Sequence, residues 1–128
     1  MNVVDSSGWL EYFADGPNAG FFAPAIEDPA RLLVPTISLF EVFKKMRLER
    51  GEEAALEAVA QMQRGKVLVL EPALAIAAAE ASLIHKLPMA DAIMLTTARA
   101  HAATLWTQDE DFEGFKDVKY VARKKGVK

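Results

Sequence analysis

The sequence predicts an α/β fold, a three-layer α/β/α sandwich with a mainly parallel central sheet. Short apolar segments typical of strands alternate with longer segments of helical periodicity, and this order is typical of a sheet covered by helices. The strand segments are wholly apolar rather than alternately polar, which indicates burial on both faces. With 128 residues, 52% of them hydrophobic, the chain has the size and composition of one globular domain.

The first third of the chain contains two predicted strands and two short helices. A strand over residues 3–4 leads into a helix that Ser6 or Ser7 can cap, because serine hydroxyls accept hydrogen bonds from the free N–H groups of a first helical turn. A second helix is predicted over residues 20–26. The apolar residues 32–34 form the next strand, which a proline ends.

A long helix is predicted to begin at Thr36 and to end before Gly51. Four of its apolar residues have the i, i+1, i+4, i+7 spacing of a buried face, and we expect them to lie in the core: Leu39, Phe40, Phe43 and Met46. A further amphipathic helix is predicted over residues 52–64. That segment carries no residue that indicates a function.

The second half of the chain alternates strands with helices. Residues 66–70 are the clearest strand in the sequence, and an alanine-rich helix is predicted over 72–86. Another helix is predicted over 89–102, followed by a strand over 104–107. Parallel strands end at the same edge of a sheet, and ligands of such folds bind outside that edge. Functional residues are therefore expected at strand ends.

The composition limits the chemistry. Cysteine is absent, which excludes disulfides and thiolate metal sites, and His85 and His101 lie too far apart for ligand spacing. Any metal must therefore be held by oxygen. The first strand begins at Asn2 and leaves no room for a signal peptide, and no uncharged stretch approaches the length of a membrane span. We expect a soluble, cytoplasmic protein with no membrane contact.

The charges are unevenly distributed, although the formal net charge is only −3. The tail, residues 116–128, carries six cations against Asp117. One helix concentrates cations that are candidates for RNA phosphate contacts, Lys44, Lys45 and Arg47. Such blocks are also typical of solvated faces or a ragged terminus, and this alternative stays open.

Four carboxylates occur where apolar strands end or apolar helices begin: Asp5, Glu41, Asp91 and Asp109. Burying a carboxylate is costly unless it has a partner or a function. Two of them 4 Å apart would repel by about 4 kcal/mol at an effective dielectric of 20, so four together require compensating positive charge. A divalent metal would supply that charge. Structural ion pairs with lysine or arginine are the alternative.

Other acidic residues compete for the same role. Glu11 lies on what is predicted to be an exposed polar stripe, and Glu71 lies at the entry to a helix, where the helix dipole favours an anion. Glu80 shares a helix face with two isoleucines, and the sequence does not dismiss it. Asp111 is a candidate fifth member of the set, with an exposed turn as its alternative. Glu110 and Glu113 are expected to be solvated.

Four strings of sequence together resemble the PIN domain family, in particular the VapC toxins of bacterial toxin–antitoxin operons. The strings are V-V-D-S-S near the start, P-T-I-S-L-F-E-V-F around Glu41, L-P-M-A-D-A-I-M-L-T-T-A-R-A-H around Asp91, and L-W-T-Q-D-E-D-F around Asp109. They lie in the family's order and spacing over residues 2–112. We therefore expect residues 1–128 to be a single PIN domain, with the basic tail beyond the matched strings.

The resemblance implies a toxic endoribonuclease that uses Mg²⁺ or Mn²⁺ and inhibits translation by hydrolysing tRNA or rRNA, leaving 5′-phosphate and 3′-hydroxyl ends. It implies catalytic roles for the four carboxylates and metal ligation by three of them, Asp5, Asp91 and Asp109. Ser7 and Thr107 take the family's hydroxyl positions, and we add Asp111 to these supporting residues. A VapB-type antitoxin, a homodimer and a higher toxin–antitoxin assembly are also implied.

An inhibitory partner would cover the acidic residues with an inserted arginine or lysine. We expect its landing surface to be drawn from aromatic residues: Trp9, Tyr12, Phe21, Phe22, Phe40 and Phe43. The alternative is that these aromatics fill the core, and for Phe40 and Phe43 we favour the core.

Two other functions fit parts of the sequence. A receiver-type phosphoacceptor domain also combines this length with an acidic Mg²⁺ pocket, but it requires an aspartate after the third strand, where this chain has Glu71. An inactive PIN-like module that only binds RNA or protein is the other alternative. Retention of all four acids argues against it.

Overall fold

Five strands and six helices occur in residues 1–124, the part of the chain that the computed structural model describes. The strands are Asn2–Val4 (β1), Leu32–Pro35 (β2), Lys66–Leu68 (β3), Thr104–Thr107 (β4) and Val118–Tyr120 (β5). The helices are Ser6–Phe13 (α1), Ala19–Ile26 (α2), Thr36–Arg50 (α3), Glu52–Met62 (α4), Pro72–His85 (α5) and Met89–Ala100 (α6). Two 3₁₀ turns lie at Pro29–Arg31 and Glu110–Phe112.

The strands form one parallel sheet in the order β3-β2-β1-β4-β5. β1 lies at its centre, with Val3 in register with Leu33 on one side and Leu105 on the other. Because every strand pair is parallel, all five carboxyl ends meet at one edge, which we call the carboxyl edge. The predicted parallel α/β sheet is confirmed.

Apolar residues cover both faces of this sheet. On one face, side chains from α1 to α4 pack with strand residues in a core that includes Trp9, Phe22, Val42, Met62 and Trp106. On the other face, α6 contributes most of the helical side chains to a second core, and α5 packs against α6. This arrangement gives the predicted three layers.

Two expectations for the first half of the chain are wrong. Asp5, not Ser6 or Ser7, caps α1: its backbone is extended and its side chain accepts the Gly8 N–H, whereas both serines lie inside the helix. Phe40 is not a core residue and is 62% exposed. The buried stripe of α3 is Ser38, Val42 and Met46, and Phe40 lies about 200° around the helix from Ser38.

The second half differs from expectation at the sheet edges. The strand predicted over 66–70 covers only Lys66–Leu68 and is largely exposed, because it pairs with β2 alone. The basic tail, for which a ragged terminus was one alternative, contains β5, which pairs with β4. The last four residues of the 116–128 tail lie outside the described residues. Within residues 1–124, no single helix is long and apolar enough to cross a membrane. α5 and α6 meet that criterion only as a pair bent by 114°, by length and composition alone.

Candidate metal centre

Asp5 follows β1 directly and lies at the carboxyl edge, buried with only 4% of its surface exposed. Its Oδ1 accepts hydrogen bonds from Gly8 N and Ser7 Oγ, each 2.9 Å away, and its Oδ2 accepts one from Thr107 Oγ1 at 2.6 Å. Burial raises the pKa of Asp5 to about 6, even though the three hydrogen bonds lower it; the Asp109 charge raises it further.

Thr107 joins the ends of β1 and β4. Its hydroxyl donates to Asp5 and accepts the backbone N–H of Asp109 at 2.9 Å. Asp109 then caps the 3₁₀ turn Glu110–Phe112 by accepting the Asp111 N–H at 3.0 Å. A single buried hydroxyl therefore fixes the spacing between the two loops that carry Asp5 and Asp109.

Asp91 reaches the same place from the first turn of α6. One carboxylate oxygen from each of Asp91, Asp109 and Asp111 lies within 4.8 Å of the other two. Burial raises the pKa of Asp91 to about 7, with further increases from the charges of Asp109, Asp5, Asp111 and Glu41, in that order. The five predicted acidic residues are therefore neighbours around Asp91.

Glu41 lies in the second turn of α3, half-buried. Its Oε1 accepts a 2.6 Å hydrogen bond from Ser6 Oγ in α1. This bond holds the Glu41 carboxylate at the rim of the acidic cluster, which we define as Asp5, Glu41, Asp91, Asp109 and Asp111. Ser6 was missed in the sequence, because only the fold brings the first turn of α1 beside α3.

Structural ion pairs do not explain the acidic cluster. In residues 1–124 the ion pairs are Arg31 with Asp28 and Lys45 with Glu49, and neither involves a cluster residue. A divalent cation fits the arrangement instead. Ligands on opposite sides of an octahedral Mg²⁺ lie about 4.2 Å apart. The oxygens of Asp91, Asp109 and Asp111 lie within 4.8 Å of one another, so they need only small side-chain rotations to bind one ion; Asp5 and Glu41 lie outside this group of three. Burial raises the pKa of both Asp5 and Asp91, and the charges of neighbouring carboxylates raise both further.

Two buried amides support the cluster and were also missed. Gln108, 4% exposed, lies between Thr107 and Asp109, and its Nε2 donates to Ser7 O at 3.3 Å. Its Oε1 accepts from Asn18 Nδ2 at 3.0 Å, and the same Nδ2 donates to Ala122 O at 3.0 Å. These bonds join the Asp5 loop, the Asp109 loop and the chain after β5. The residues are up to 104 positions apart, so no local sequence pattern indicates the network.

The competing acidic residues lie elsewhere. Glu11 is half-buried, not part of an exposed stripe, and its Oε2 accepts the Asn18 N–H at 2.7 Å. Glu71 immediately precedes α5 without a side-chain capping bond, and Glu80 is exposed on α5. None of the three belongs to the oxygen cluster found among residues 1–124.

The predicted RNA-contact cations are exposed on α3. Lys44 Nζ lies 5.8 Å from the centre of the Phe40 ring, and Lys45 Nζ pairs with Glu49 at 3.2 Å. Arg47 lies in the last turn. Lys44 is therefore less than one turn beyond Glu41 along the helix, and Lys45 and Arg47 are between one and two turns beyond it.

The aromatic residues expected at a partner surface divide into two groups. Trp9 and Phe22 are fully buried in the core, so their assignment to a docking surface is wrong. Tyr12, Phe21 and Phe43 are half-buried at the edge of that core. Phe40 is the exposed member, although the core was the favoured expectation for it.

Comparison with known proteins identifies one family, and solved structures with a similar fold agree with it. The model of the PIN domain family matches residues 3–118. No curated protein matches the sequence. Among solved structures, the chain is similar to a toxin–antitoxin complex from Klebsiella pneumoniae, with 21% identity and a TM-score of 0.77, over 93% of this chain and 96% of that chain.

Two further structures have the same fold. VapC20 of Mycobacterium tuberculosis, a sarcin-ricin loop cleaving toxin, is 22% identical with a TM-score of 0.76, over 92% of this chain and 98% of that chain. DNA-bound VapBC from Salmonella typhimurium is 16% identical with a TM-score of 0.71, over 95% of this chain and 97% of that chain.

Proposed function

The chain belongs to the PIN domain family, and on that basis we propose that it is a metal-dependent endoribonuclease acting as the toxin of a toxin–antitoxin pair. The observation that carries the proposal is an acidic cluster at the carboxyl edge of a PIN fold that forms no ion pair with any of residues 1–124. Holding five carboxylates close together destabilises the fold, and an inactive binding module would have no need of such a cluster. The domain we propose comprises residues 1–128, including the basic tail.

In the proposed site, Asp5, Asp91 and Asp109 hold Mg²⁺ or Mn²⁺, and Asp111 and Glu41 complete the oxygen-rich surroundings. A bound cation of this type lowers the pKa of a bound water and offsets negative charge on the scissile phosphate. The hydrogen bonds from Ser7, Thr107 and Gly8 orient the Asp5 carboxylate. The Ser6 hydroxyl does the same for Glu41.

The proposed reaction is hydrolysis of an RNA phosphodiester bond. A water oxygen bonds to phosphorus while the bond from phosphorus to the 3′ oxygen breaks, leaving a 5′-phosphate and a 3′-hydroxyl. A carboxylate of the cluster, Asp91 or Asp109, orients the attacking water and accepts its proton. The 3′ oxygen takes its proton from solvent.

We extend the proposal to partners because three similar structures are toxins or toxin–antitoxin complexes. An antitoxin of the VapB type would cover the acidic cluster, and exposed Phe40, next to Glu41, offers it an apolar contact. Self-association, and with it a higher assembly, fits the large apolar side chains exposed on α5 and at the start of α6: Ile76, Leu83, Ile84 and Met89. Because the proposed substrate is tRNA or rRNA, the proposed site of action is the cytoplasm.

Sequencing of RNA 5′ ends after brief induction of the chain in bacterial cells tests this function. We expect growth to slow and new 5′-phosphate ends to appear at a few positions in tRNA or rRNA, and neither effect with Asp91→Asn. Unimpaired growth with an unchanged set of 5′ ends, while the folded protein accumulates, would exclude the toxin role.

A further inference from the structure

The end of β5 lies beside the acidic cluster but has no part in the chemistry proposed above. Tyr120 is in register with Thr107 on β4, so the two side chains lie on the same face of the sheet, about 4.8 Å apart in backbone spacing. The Thr107 hydroxyl donates a hydrogen bond to Asp5 and accepts one from the backbone N–H of Asp109. β5 therefore presents an aromatic side chain one strand away from the centre of the site.

Charged side chains of the neighbouring loop and of the following segment act on the Tyr120 hydroxyl. Partial burial and then the charges of Glu113, Glu110 and Asp109 raise its pKa, and the charge of Arg123 lowers it. The hydroxyl has no hydrogen-bond partner within residues 1–124. The ring is half-buried on an edge strand, so part of it faces solvent.

Hydrogen bonds fix the backbone that follows Tyr120. Val121 N donates to Thr107 O at 3.0 Å, and Ala122 O accepts a hydrogen bond from Asn18 Nδ2. Asn18 is buried and also bonds Gln108. A side chain held on such a backbone loses little further freedom when it binds a ligand, which favours affinity.

Arg123 and Lys124 follow Tyr120 by three and four residues. Because β5 runs parallel to β4, Arg123 and Lys124 leave the strand at the carboxyl edge, on the same side as the acidic cluster, and both are exposed. Lys119, by contrast, lies on the opposite face, with its Nζ 4.4 Å from the centre of the Trp106 ring. Arg123 is the cation whose charge lowers the pKa of the Tyr120 hydroxyl, beside the cluster.

We propose that Tyr120 and Arg123 bind single-stranded RNA next to the scissile bond, the ring stacking on an unpaired base and the guanidinium binding a neighbouring phosphate. An acidic cluster repels the RNA backbone, and a cation at its border offsets this repulsion and attracts the strand. Aromatic side chains stack on any base, and unpaired bases are what proteins read in folded RNA. Arginine adds a planar group that binds phosphate through two hydrogen bonds. This inference rests on the proposed function, because it names a binding surface for the substrate of that same site.

The test measures binding of a short single-stranded RNA of mixed sequence that carries 2-aminopurine, in an Asp91→Asn background that prevents cleavage. Tyr120→Leu keeps an apolar side chain but removes the ring, and Tyr120→Phe keeps the ring. Arg123→Gln removes the cation, and Arg64→Gln removes an exposed cation just before β3, at the opposite edge of the sheet. Melting curves of all four variants verify that they fold.

We expect Tyr120→Leu to weaken RNA binding by about 5- to 150-fold, the range for loss of one base stack, and to abolish the quenching of 2-aminopurine. Tyr120→Phe should retain most of both, and Arg123→Gln should weaken binding and reduce its dependence on salt. Arg64→Gln should leave binding within two-fold, roughly the scatter of a surface substitution.

Several results would overturn the inference. Equal RNA binding by Tyr120→Leu, Tyr120→Phe and the parent protein, or equal losses in Arg123→Gln and Arg64→Gln, would remove this surface from RNA binding while leaving the nuclease intact. Loss of antitoxin binding without loss of RNA binding would assign the surface to a protein. A wild-type protein that neither binds nor cleaves RNA would instead refute the proposed function itself.

Discussion

The Thr107 hydroxyl lies 2.6 Å from Asp5 Oδ2, and this hydrogen bond joins the ends of the two central strands β4 and β1. Because Thr107 is fully buried and also accepts the Asp109 N–H, it holds two members of the acidic cluster at a set spacing. A residue of the sheet therefore sets the spacing of two of the proposed metal ligands.

Thr107→Val tests this role of the hydroxyl. Valine keeps the shape but cannot lower the pKa of Asp5 or accept the Asp109 N–H, so we expect the free energy of unfolding to fall by about 1–3 kcal/mol. Metal affinity at neutral pH should fall as well. Urea unfolding and Mn²⁺ titration measure the two effects. Thr104→Val, at the other end of β4, is the control and should change neither.

The stability of the metal-free protein should depend on pH. Burial, and for Asp91 neighbouring charge, raises the pKa of Asp5 to about 6 and that of Asp91 to about 7, from 3.8 in the unfolded chain. The folded state therefore binds more protons than the unfolded state in this range, and the free energy of unfolding should fall as pH rises from about 4 to about 7, then level off.

For the nearly fully buried Asp5, this loss amounts to about 3 kcal/mol at about 1.36 kcal/mol per pKa unit. Asp91 adds less than its pKa suggests, because solvent screens a half-exposed group. Urea unfolding in EDTA across this pH range measures the slope. A stability that rises steadily from pH 4 to pH 7 would show that the carboxylates are paired rather than crowded.

Asp91→Asn should separate catalysis from folding. Removing this charge relieves repulsion with Asp109 and Asp5, so the metal-free protein at pH 8 should be at least as stable as the wild type. RNA cleavage should be lost. Asp5→Ala, by contrast, should destabilise the fold by about 1 kcal/mol or more, because it removes the cap of α1. An unfolded Asp91→Asn protein at neutral pH would assign Asp91 a structural role.

Gln108→Leu tests the buried amide network. The substitution leaves Asn18 Nδ2 and Ser7 O each short of one buried hydrogen bond, which should cost about 1–3 kcal/mol of stability. Because Gln108 lies between Thr107 and Asp109, metal affinity should fall too. Gln63→Leu is the control, since Gln63 is exposed and bonds only Val59 O within its own helix region. Loss of stability without any loss of metal affinity would limit the network to folding.

The sequence predicts the parallel sheet and the position of the acidic residues for the same physical reason. Wholly apolar strands must be buried on both faces of a parallel sheet. The acidic residues that come after two of these strands, Asp5 and Asp109, must then lie at the same edge of the sheet. Asp91 and Glu41 are identified because each lies in the first two turns of an apolar helix that follows a proline. The family resemblance adds the chemistry that these positions do not define.

The features that the sequence did not predict depend on tertiary contacts. The Ser6–Glu41 and Asn18–Gln108 bonds join residues 35 and 90 positions apart. β5 has only three residues and lies in a stretch of the sequence rich in charged residues. It is a strand because it pairs with β4. In α3, two overlapping apolar spacings were possible, and packing against α1 and α4 selected the one that leaves Phe40 exposed.

A magnesium titration followed by melting temperature tests most directly whether Asp5, Asp91 and Asp109 form one metal site. It compares the wild type, Asp91→Asn, and the control Glu80→Gln, which removes an exposed carboxylate of α5. At 100 times the dissociation constant, one site adds about 2.7 kcal/mol, or about 10 °C in a domain of this size. We expect that rise in the wild type and in Glu80→Gln, and little or none in Asp91→Asn. An unchanged melting temperature in the wild type, or equal rises in all three proteins, would contradict a shared metal site.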